Sequence, residues 1–303
     1  MPELVWLNGR FMSREDATVS AFDAGLQHAV GLFETMLAAQ GRVFRIEQHM
    51  ARLAASATTL GLSETLRPGM LAEAVDSVVQ RSGLAEGDGR ARVRLTITGG
   101  DLNMLPSAAS GPKGPSDPTI LIVATPATAY PQELIDRGVS VRIADARANP
   151  FEPGAGHKTL NYWWRLRELQ SAGRAGASEA IVLQVSNHVA GGCVSNLMAA
   201  KDGVLVTPIA QGEEVAGAIP SPVLPGVTRG AMLEFAAEQR INAERRMMTI
   251  ADVLDADEVF LTNSSWGVLP VVKVEGKRIG SGEPGGMTRR LRERWLEAVR
   301  DEP

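Results

Sequence analysis

One lysine among five (113, 158, 201, 273 and 277) stands in unusual company. Lys158 belongs to Gly156-His157-Lys158-Thr159-Leu160-Asn161-Tyr162-Trp163, which follows a loop broken by Pro and Gly and opens a predicted helix, Tyr162 to Gln170. Lysines are ordinarily spread over solvated faces, yet this one is flanked by Gly, His, Leu, Tyr and two Trp. An amine so placed loses hydration, which disfavours its charged form and makes it a competent nucleophile toward an aldehyde. Four other stretches suit a phosphate or a flat ring. Arg52 lies at helical spacing from His49 and Ser56. Leu224-Pro225-Gly226-Val227-Thr228-Arg229 runs into an amphipathic helix whose open N–H groups, with the Thr228 hydroxyl, make an anion site. Thr262-Asn263-Ser264-Ser265-Trp266-Gly267 gathers hydroxyls and amides at the end of an apolar strand. Gly191-Gly192-Cys193-Val194-Ser195-Asn196 is a small-residue turn along which backbone can lie close to a ring.

Taken singly, these have ordinary explanations: a surface lysine or arginine, a helix cap, a polar turn, a tight bend. Taken jointly, a low-polarity lysine and several dispersed phosphate-suited stretches point to an aldehyde-bearing phosphorylated cofactor. That is pyridoxal 5'-phosphate, held as a Schiff base.

The elements that must position these residues follow from periodicity. Leu4–Leu7 and Arg10–Met12 form a hairpin about Asn8-Gly9, and Gly31–Ala39 and Arg42–Ile46 are two further strands. Glu47–Leu60 is a helix with Met50, Leu53, Ala57 and Leu60 on one face, ended by Gly61. A second helix runs from Met70 to Arg81. Arg90–Thr98 alternates, with Arg92, Arg94, Thr96 and Thr98 on one side and Val93, Leu95 and Ile97 on the other. Gly99–Pro118, dense in Gly, Pro and Ser, is either a flap or an insertion. Thr119–Thr125 is a strand. The expected division is an N-terminal α/β domain over 1–125, a linker over 126–132 and a C-terminal cofactor-binding domain over 133–303. Strands Val139–Ala144, Glu179–Gln184, Val194–Ala200, Val204–Thr207 and Val259–Thr262, a helix Arg229–Gln239, a hairpin near Lys273–Arg278 and a last helix from Met287 fill the second domain. The fold class is α/β (α+β), two domains with mixed sheets.

Composition narrows the function. With 303 residues, 44% hydrophobic and 22% charged, the chain is long enough for two cores. A net charge of −4 gives no basis for a nucleic-acid partner or an anionic membrane surface. No apolar run approaches a membrane span and the N-terminus lacks a signal-peptide pattern, so a soluble, cytoplasmic protein is expected. The single Cys193 excludes an internal disulfide. His28, His157 and His188 lack metal-ligand spacing with acids, so no metal is expected.

The motifs His49-Met50-Ala51-Arg52-Leu53, Lys158-Thr159-Leu160-Asn161-Tyr162, Ser195-Asn196-Leu197, Thr207-Pro208, Leu224-Pro225-Gly226-Val227-Thr228-Arg229 and Asp257-Glu258-Val259-Phe260-Leu261-Thr262 resemble the fold-type IV (class IV) pyridoxal-phosphate enzymes. Their order and spacing agree from Leu7-Asn8-Gly9 to Pro270-Val271. The family includes branched-chain and D-amino-acid aminotransferases and aminodeoxychorismate lyase. The resemblance implies a homodimer with the cofactor between two domains. It makes Lys158 the Schiff-base and proton-shuttling residue and puts the phosphate on Arg52 and Thr228, helped by Ser264. Asn196, Val227, Ser265 and the Gly191 turn complete the implied cofactor set.

Two departures bear on the chemistry. The family places a Glu, which keeps the pyridine nitrogen protonated, where this chain has Gly191; another group substitutes, or the reaction depends less on a protonated ring. At Leu37, relatives resembling D-amino-acid aminotransferase often carry Arg; Arg94, aimed by its strand with Thr96, is the candidate for holding a substrate carboxylate. The leading expectation is an aminotransferase acting between amino acids and 2-keto acids, of the D-amino-acid or branched-chain type. A pyruvate-releasing lyase and a cofactor-binding protein with little catalysis are the alternatives.

Overall fold

The computed structural model describes residues 4–64, 66–100 and 118–301. The expected flap or insertion at 99–118 therefore lies almost entirely outside the described residues. The chain forms two compact units. The first comprises Met1–Thr128 with His157–Asn161 and Val299–Pro303; the second comprises Ala129–Gly156 and Tyr162–Ala298. The lysine segment thus groups with the N-terminal unit.

In the first unit, β1 (Leu4–Leu7), β2 (Arg10–Ser13), β3 (Gly31–Ala39), β4 (Arg42–Val43), β5 (Arg90–Thr98) and β6 (Ile120–Pro126) form an antiparallel sheet of order β2-β1-β6-β5-β3-β4. The Arg-X-Arg alternation of β5 is realised: Ala91, Val93, Leu95 and Ile97 are buried while Arg92 and Arg94 are exposed. Two helices supply the other half of this core. Along α2 (Ile46–Thr59), Met50, Leu53 and Ala57 face inward; along α3 (Pro68–Ser82), Leu71, Ala74, Val75, Val78 and Val79 do. Each of the larger side chains contributes roughly 1.5–3 kcal/mol by leaving water. Pro68 at the start of α3, where its missing N–H costs nothing, and Gly83 in the left-handed conformation at its end set that helix's bounds. A short α1 (Ala24–His28) is capped by Asp23, which also accepts from Thr98 and Thr119 hydroxyls at 2.7 Å.

The second unit is built on a mixed sheet. Its path is β12-β11-β10-β13-β14-β7-β8-β9, with β15 beside β14, and the β7–β8, β7–β14 and β11–β12 pairs are parallel. These strands are β7 (Val139–Ala148), β8 (Glu179–Gln184), β9 (Val189–Gly192), β10 (Asn196–Lys201), β11 (Val204–Thr207), β12 (Ala243–Arg245), β13 (Glu258–Asn263), β14 (Gly267–Val274) and β15 (Lys277–Arg278). The helices are α4 (Gln132–Asp136), α5 (Trp163–Arg174), α6 (Val227–Glu238), α7 (Ile250–Leu254) and α8 (Gly286–Asp301). β8 and β10 are almost wholly buried, as parallel and central strands covered on both faces are. Two expectations are corrected here. Gly191 and Gly192 belong to β9 rather than to a turn, because they pair with Val182 and Ile181 of β8; the turn is 193–195. The strand expected from Val194 starts instead at Asn196; Trp163 is 71% exposed, whereas Trp164 packs against the Ala144, Ala172, Cys193 and Val223 cluster.

Candidate active site

Lys158 is placed by backbone pairing, not by a helix. Phe33 N–H donates to Lys158 C=O at 2.9 Å, Leu160 N–H donates to Gly31 C=O at 3.0 Å, and Leu32 and Thr159 form an antiparallel bridge. The segment lies flush on β3 because residue 31 is glycine. A Cβ there would sit 2.7 Å from Leu160 Cδ1 and collide with Ile97 C=O. The Lys158 side chain is half-buried, with Nζ 4.2 Å from the Phe33 ring centroid. The Arg94 guanidinium lies 3.7 Å from the same centroid and donates from Nε to Thr96 Oγ1 at 3.3 Å. The predicted amine and the predicted carboxylate-binding arginine thus share one aromatic ring, whose π-face attracts both cations.

The polar edge of α2 meets this segment. His157 Nδ1 and Ser56 Oγ are 2.9 Å apart, and burial lowers the His157 pKa. His49 and Arg52 both turn to Glu34 on β3. Arg52 donates from Nε to Oε1 at 2.9 Å and from Nη2 to Oε2 at 2.5 Å, and His49 Nδ1 is 2.8 Å from Oε2. Glu34 joins two candidate site residues and was not singled out from the sequence. The available signal was an acid on the inward parity of an apolar strand, between Leu32 and Met36. Burial by itself would raise its pKa; the Arg52 charge and the His49 hydrogen bond outweigh burial and hold it at about 2. For His49 burial also comes first, and with the Arg52 and Lys158 charges it outweighs the pull of Glu34, so the ring stays neutral below its ordinary range.

Both shifts act in the same direction with pH. Glu34 is depressed from 4.5 to about 2, so its stabilisation is whole above 4.5 and is lost as pH falls through about 2. His49 is depressed below 6.5, so the unfolded chain takes up its proton first and stability falls as pH drops under 6.5. The gap in unfolding free energy between the wild type and Glu34→Gln should therefore narrow by about 3 kcal/mol between pH 7 and strong acid. Urea unfolding at stepped pH measures it, and a pH-independent gap would contradict the assignment.

In the second unit, Asn196, the start of α6 and Thr262 converge. Asn196 Nδ2 donates to Leu224 C=O at 2.8 Å, and its Oδ1 occupies the place a Cβ on Gly226 would need. Gly226 therefore starts α6 with no side-chain cap, leaving the amides of Val227 and Thr228 in a first turn that favours an anion. Thr262, paired with Asn196 across β10 and β13, is buried, and its Oγ1 has no hydrogen-bond partner. An orphaned buried hydroxyl is rare; this one shares a sheet face with Asn196, whose side chain reaches the stretch leading into α6. Ser264 and Ser265 lie half-buried in the next turn, shaped by Asn263 Oδ1 accepting from Ser265 and Trp266 N–H. Asn263 Nδ2 also reaches Val194 C=O at 3.3 Å, tying this turn to 193–195. Arg229 does not take part as a ligand. Its guanidinium is 2% exposed and is committed to Glu213, Thr207 and the Pro208 carbonyl, which anchors α6.

Gly191 is a backbone position, with φ +132° and Ser195 C=O 2.9 Å from where a Cβ would stand. The acid beside this turn is Glu179, fully buried at the start of β8. It accepts from Ala180, Cys193 and Val194 N–H and from Ser195 Oγ at 2.7–3.1 Å. Burial raises its pKa against those four bonds. With both carboxylate oxygens occupied in this way, Glu179 holds the turn; it does not stand in for the acid missing at 191. Arg165 donates to Gly192 C=O at 3.2 Å, so the charged side chain at the accepting edge of this stretch is a cation.

The family model for class IV amino-transferases matches residues 31–274. The branched-chain-amino-acid aminotransferase of Escherichia coli (strain K12) is 30% identical over 301 residues, covering 97% of this chain and 92% of the relative. The D-alanine aminotransferase of Bacillus licheniformis is 30% identical over 298 residues, covering 95% and 94%. A branched-chain amino acid aminotransferase from T.th., solved with pyridoxamine 5'-phosphate, superposes with a TM-score of 0.86 at 27% identity, covering 100% of this chain and 96% of that one. From motif order, fold and full-length similarity together, the chain belongs to the class IV aminotransferase family.

Proposed function

We propose that this protein is a pyridoxal 5'-phosphate-dependent amino-acid aminotransferase that moves an amino group from an amino acid to a 2-keto acid, with Lys158 as the catalytic amine. The observation that carries the reading is Lys158 itself: pinned to β3 through backbone on both sides, half-buried, with Nζ over Phe33. When bound, the cofactor supplies an aldehyde for the substrate amine and a ring that draws electrons from the carbon losing its proton. In the first unit, Lys158 Nζ would hold the aldehyde and would serve as general base and acid for the substrate's α-proton. Arg52 binds phosphate and Arg94 receives the substrate carboxylate. In the second unit, Val227 and Thr228 amides, with Asn196, Ser264 and Ser265, suit phosphate, and the side-chain-free backbone at Gly191 suits a flat ring.

The motif resemblance supports a homodimer; among the described residues no helix is long and apolar enough to cross a membrane. The similarity to both branched-chain and D-alanine enzymes leaves the side chain and hand of the donor to experiment. Stoichiometric titration of the loaded protein with L- and D-amino acids, keto-acid product being counted, tests the function. One keto acid per subunit, with the cofactor recovered in its amine form, is expected for at least one donor. Pyruvate released while the cofactor keeps its aldehyde form would instead mark a lyase, and no response to any donor would overturn the transaminase reading in favour of a cofactor-binding protein with little catalysis.

A further inference from the structure

We propose that Glu34, backed by His49, is a positioning residue that aims Arg52 at the cofactor phosphate; this rests on the assignment of Arg52 made above. Glu34 projects from β3 on the same face as Leu32 and Met36, where every strand neighbour is apolar. Burying a carboxylate there is strongly unfavourable unless it is paired. The pairing is specific in shape. Arg52 meets Glu34 along its Nε–Nη2 edge as a fork on a fork, which fixes the plane and rotation of the guanidinium. Its Nη1 corner is not part of that fork, and the side chain keeps 11% exposure against 1% for Glu34. His49, also 1% exposed, holds the same Oε2 from beside Arg52 through Nδ1.

Charge and geometry make opposite predictions for this cluster. A carboxylate beside Arg52 cancels its charge, so on charge alone Glu34 weakens the binding of any anion. Only through orientation can Glu34 help a phosphate bind, since a guanidinium free to rotate forfeits its directed hydrogen bonds. The pair is retained in an otherwise apolar layer, and its fork engages a single edge of the guanidinium. Both features match orientation.

The test compares binding of pyridoxal 5'-phosphate and of pyridoxal, which lacks the phosphate, to the full-length wild-type protein and to Glu34→Gln, Glu34→Asp and Arg52→Lys. Absorbance titration gives each dissociation constant, and near-UV circular dichroism checks the fold. Glu34→Gln is expected to weaken pyridoxal 5'-phosphate binding by roughly tenfold or more, with pyridoxal binding changed by less than about threefold. Glu34→Asp keeps the charge but shortens the reach, and should weaken phosphate-dependent binding too. In the Glu34→Gln background, Arg52→Lys should add little, because the arginine has already lost its aim. Equal or tighter pyridoxal 5'-phosphate binding by folded Glu34→Gln overturns the proposal. So does equal loss for both ligands, which would mark a merely structural role. If Glu34→Gln does not fold, Glu34→Asp decides by the same two readings. Should Arg52→Lys alone leave pyridoxal 5'-phosphate affinity intact, the assignment of Arg52 to phosphate fails, whatever Glu34 does.

Discussion

Lys158→Ala is expected to reduce transamination by about 10⁴-fold and to abolish the visible absorption band of the loaded protein, while changing unfolding free energy by less than about 1 kcal/mol. The separation follows from how the residue is held. The bonds that fix the segment to β3 belong to the backbone of Phe33, Lys158, Leu160 and Gly31, and alanine keeps them all. What leaves is a half-buried side chain whose contact with Phe33, a cation resting on a ring, is worth about 0.5–1 kcal/mol at such a site. The nucleophile and the proton carrier leave with it, and neither His49 nor His157 is placed to take over, their rings being engaged with Glu34 and Ser56. Single-turnover kinetics and denaturant unfolding on the same preparation measure the two halves. Retained turnover with an unchanged band would remove Lys158 from the mechanism.

The second large effect is one of stability. Glu179→Ala should cost about 3–5 kcal/mol and make Cys193 reactive. The Glu179 carboxylate accepts from three backbone N–H groups and one hydroxyl, and alanine would take that acceptor from all four inside the protein, Cys193 N–H keeping a second one in Ala180 C=O at 3.1 Å. Each buried donor left without an acceptor costs about 1–3 kcal/mol, less what water entering the gap restores. Cys193 is wholly buried, and its thiol pKa is raised by burial and then by the Glu179 charge. Opening the turn exposes it and removes that charge, so a thiol-specific reagent should label the variant far faster than the wild type. A variant as stable as the wild type, with Cys193 still inert, would show that Glu179 does not hold the turn.

The sequence was most legible where pattern and motif coincide. Helices α2 and α3 and the alternation of β5 followed from periodicity, because each buries one face in a single core. The family followed from the collinear motifs around Arg52, Lys158, Asn196 and Thr228. Other features depend on partners remote in the chain. β9 reads as a turn because two of its four residues are glycine, and only pairing with β8 makes it a strand. β7 runs four residues beyond the expected Ala144, its register with β8 shifting between Ile143 and Arg147. Helices α4 and α7 span five residues each, too few for a period to register. Glu34 carried a local signal, an acid in an apolar strand, but the sequence does not say that it turns to Arg52 and His49.

Gly191 bears on how such a protein can change over time. Its φ of +132° is a conformation that residues with side chains rarely adopt, and Ser195 C=O crowds the place of a Cβ. One codon change would restore an acid to the letter sequence but not to the molecule, because β9 and the turn after it must be laid differently before a side chain fits. A variant carrying an acid at 191 would need backbone changes in β9 and in the turn after it before that side chain could be seated.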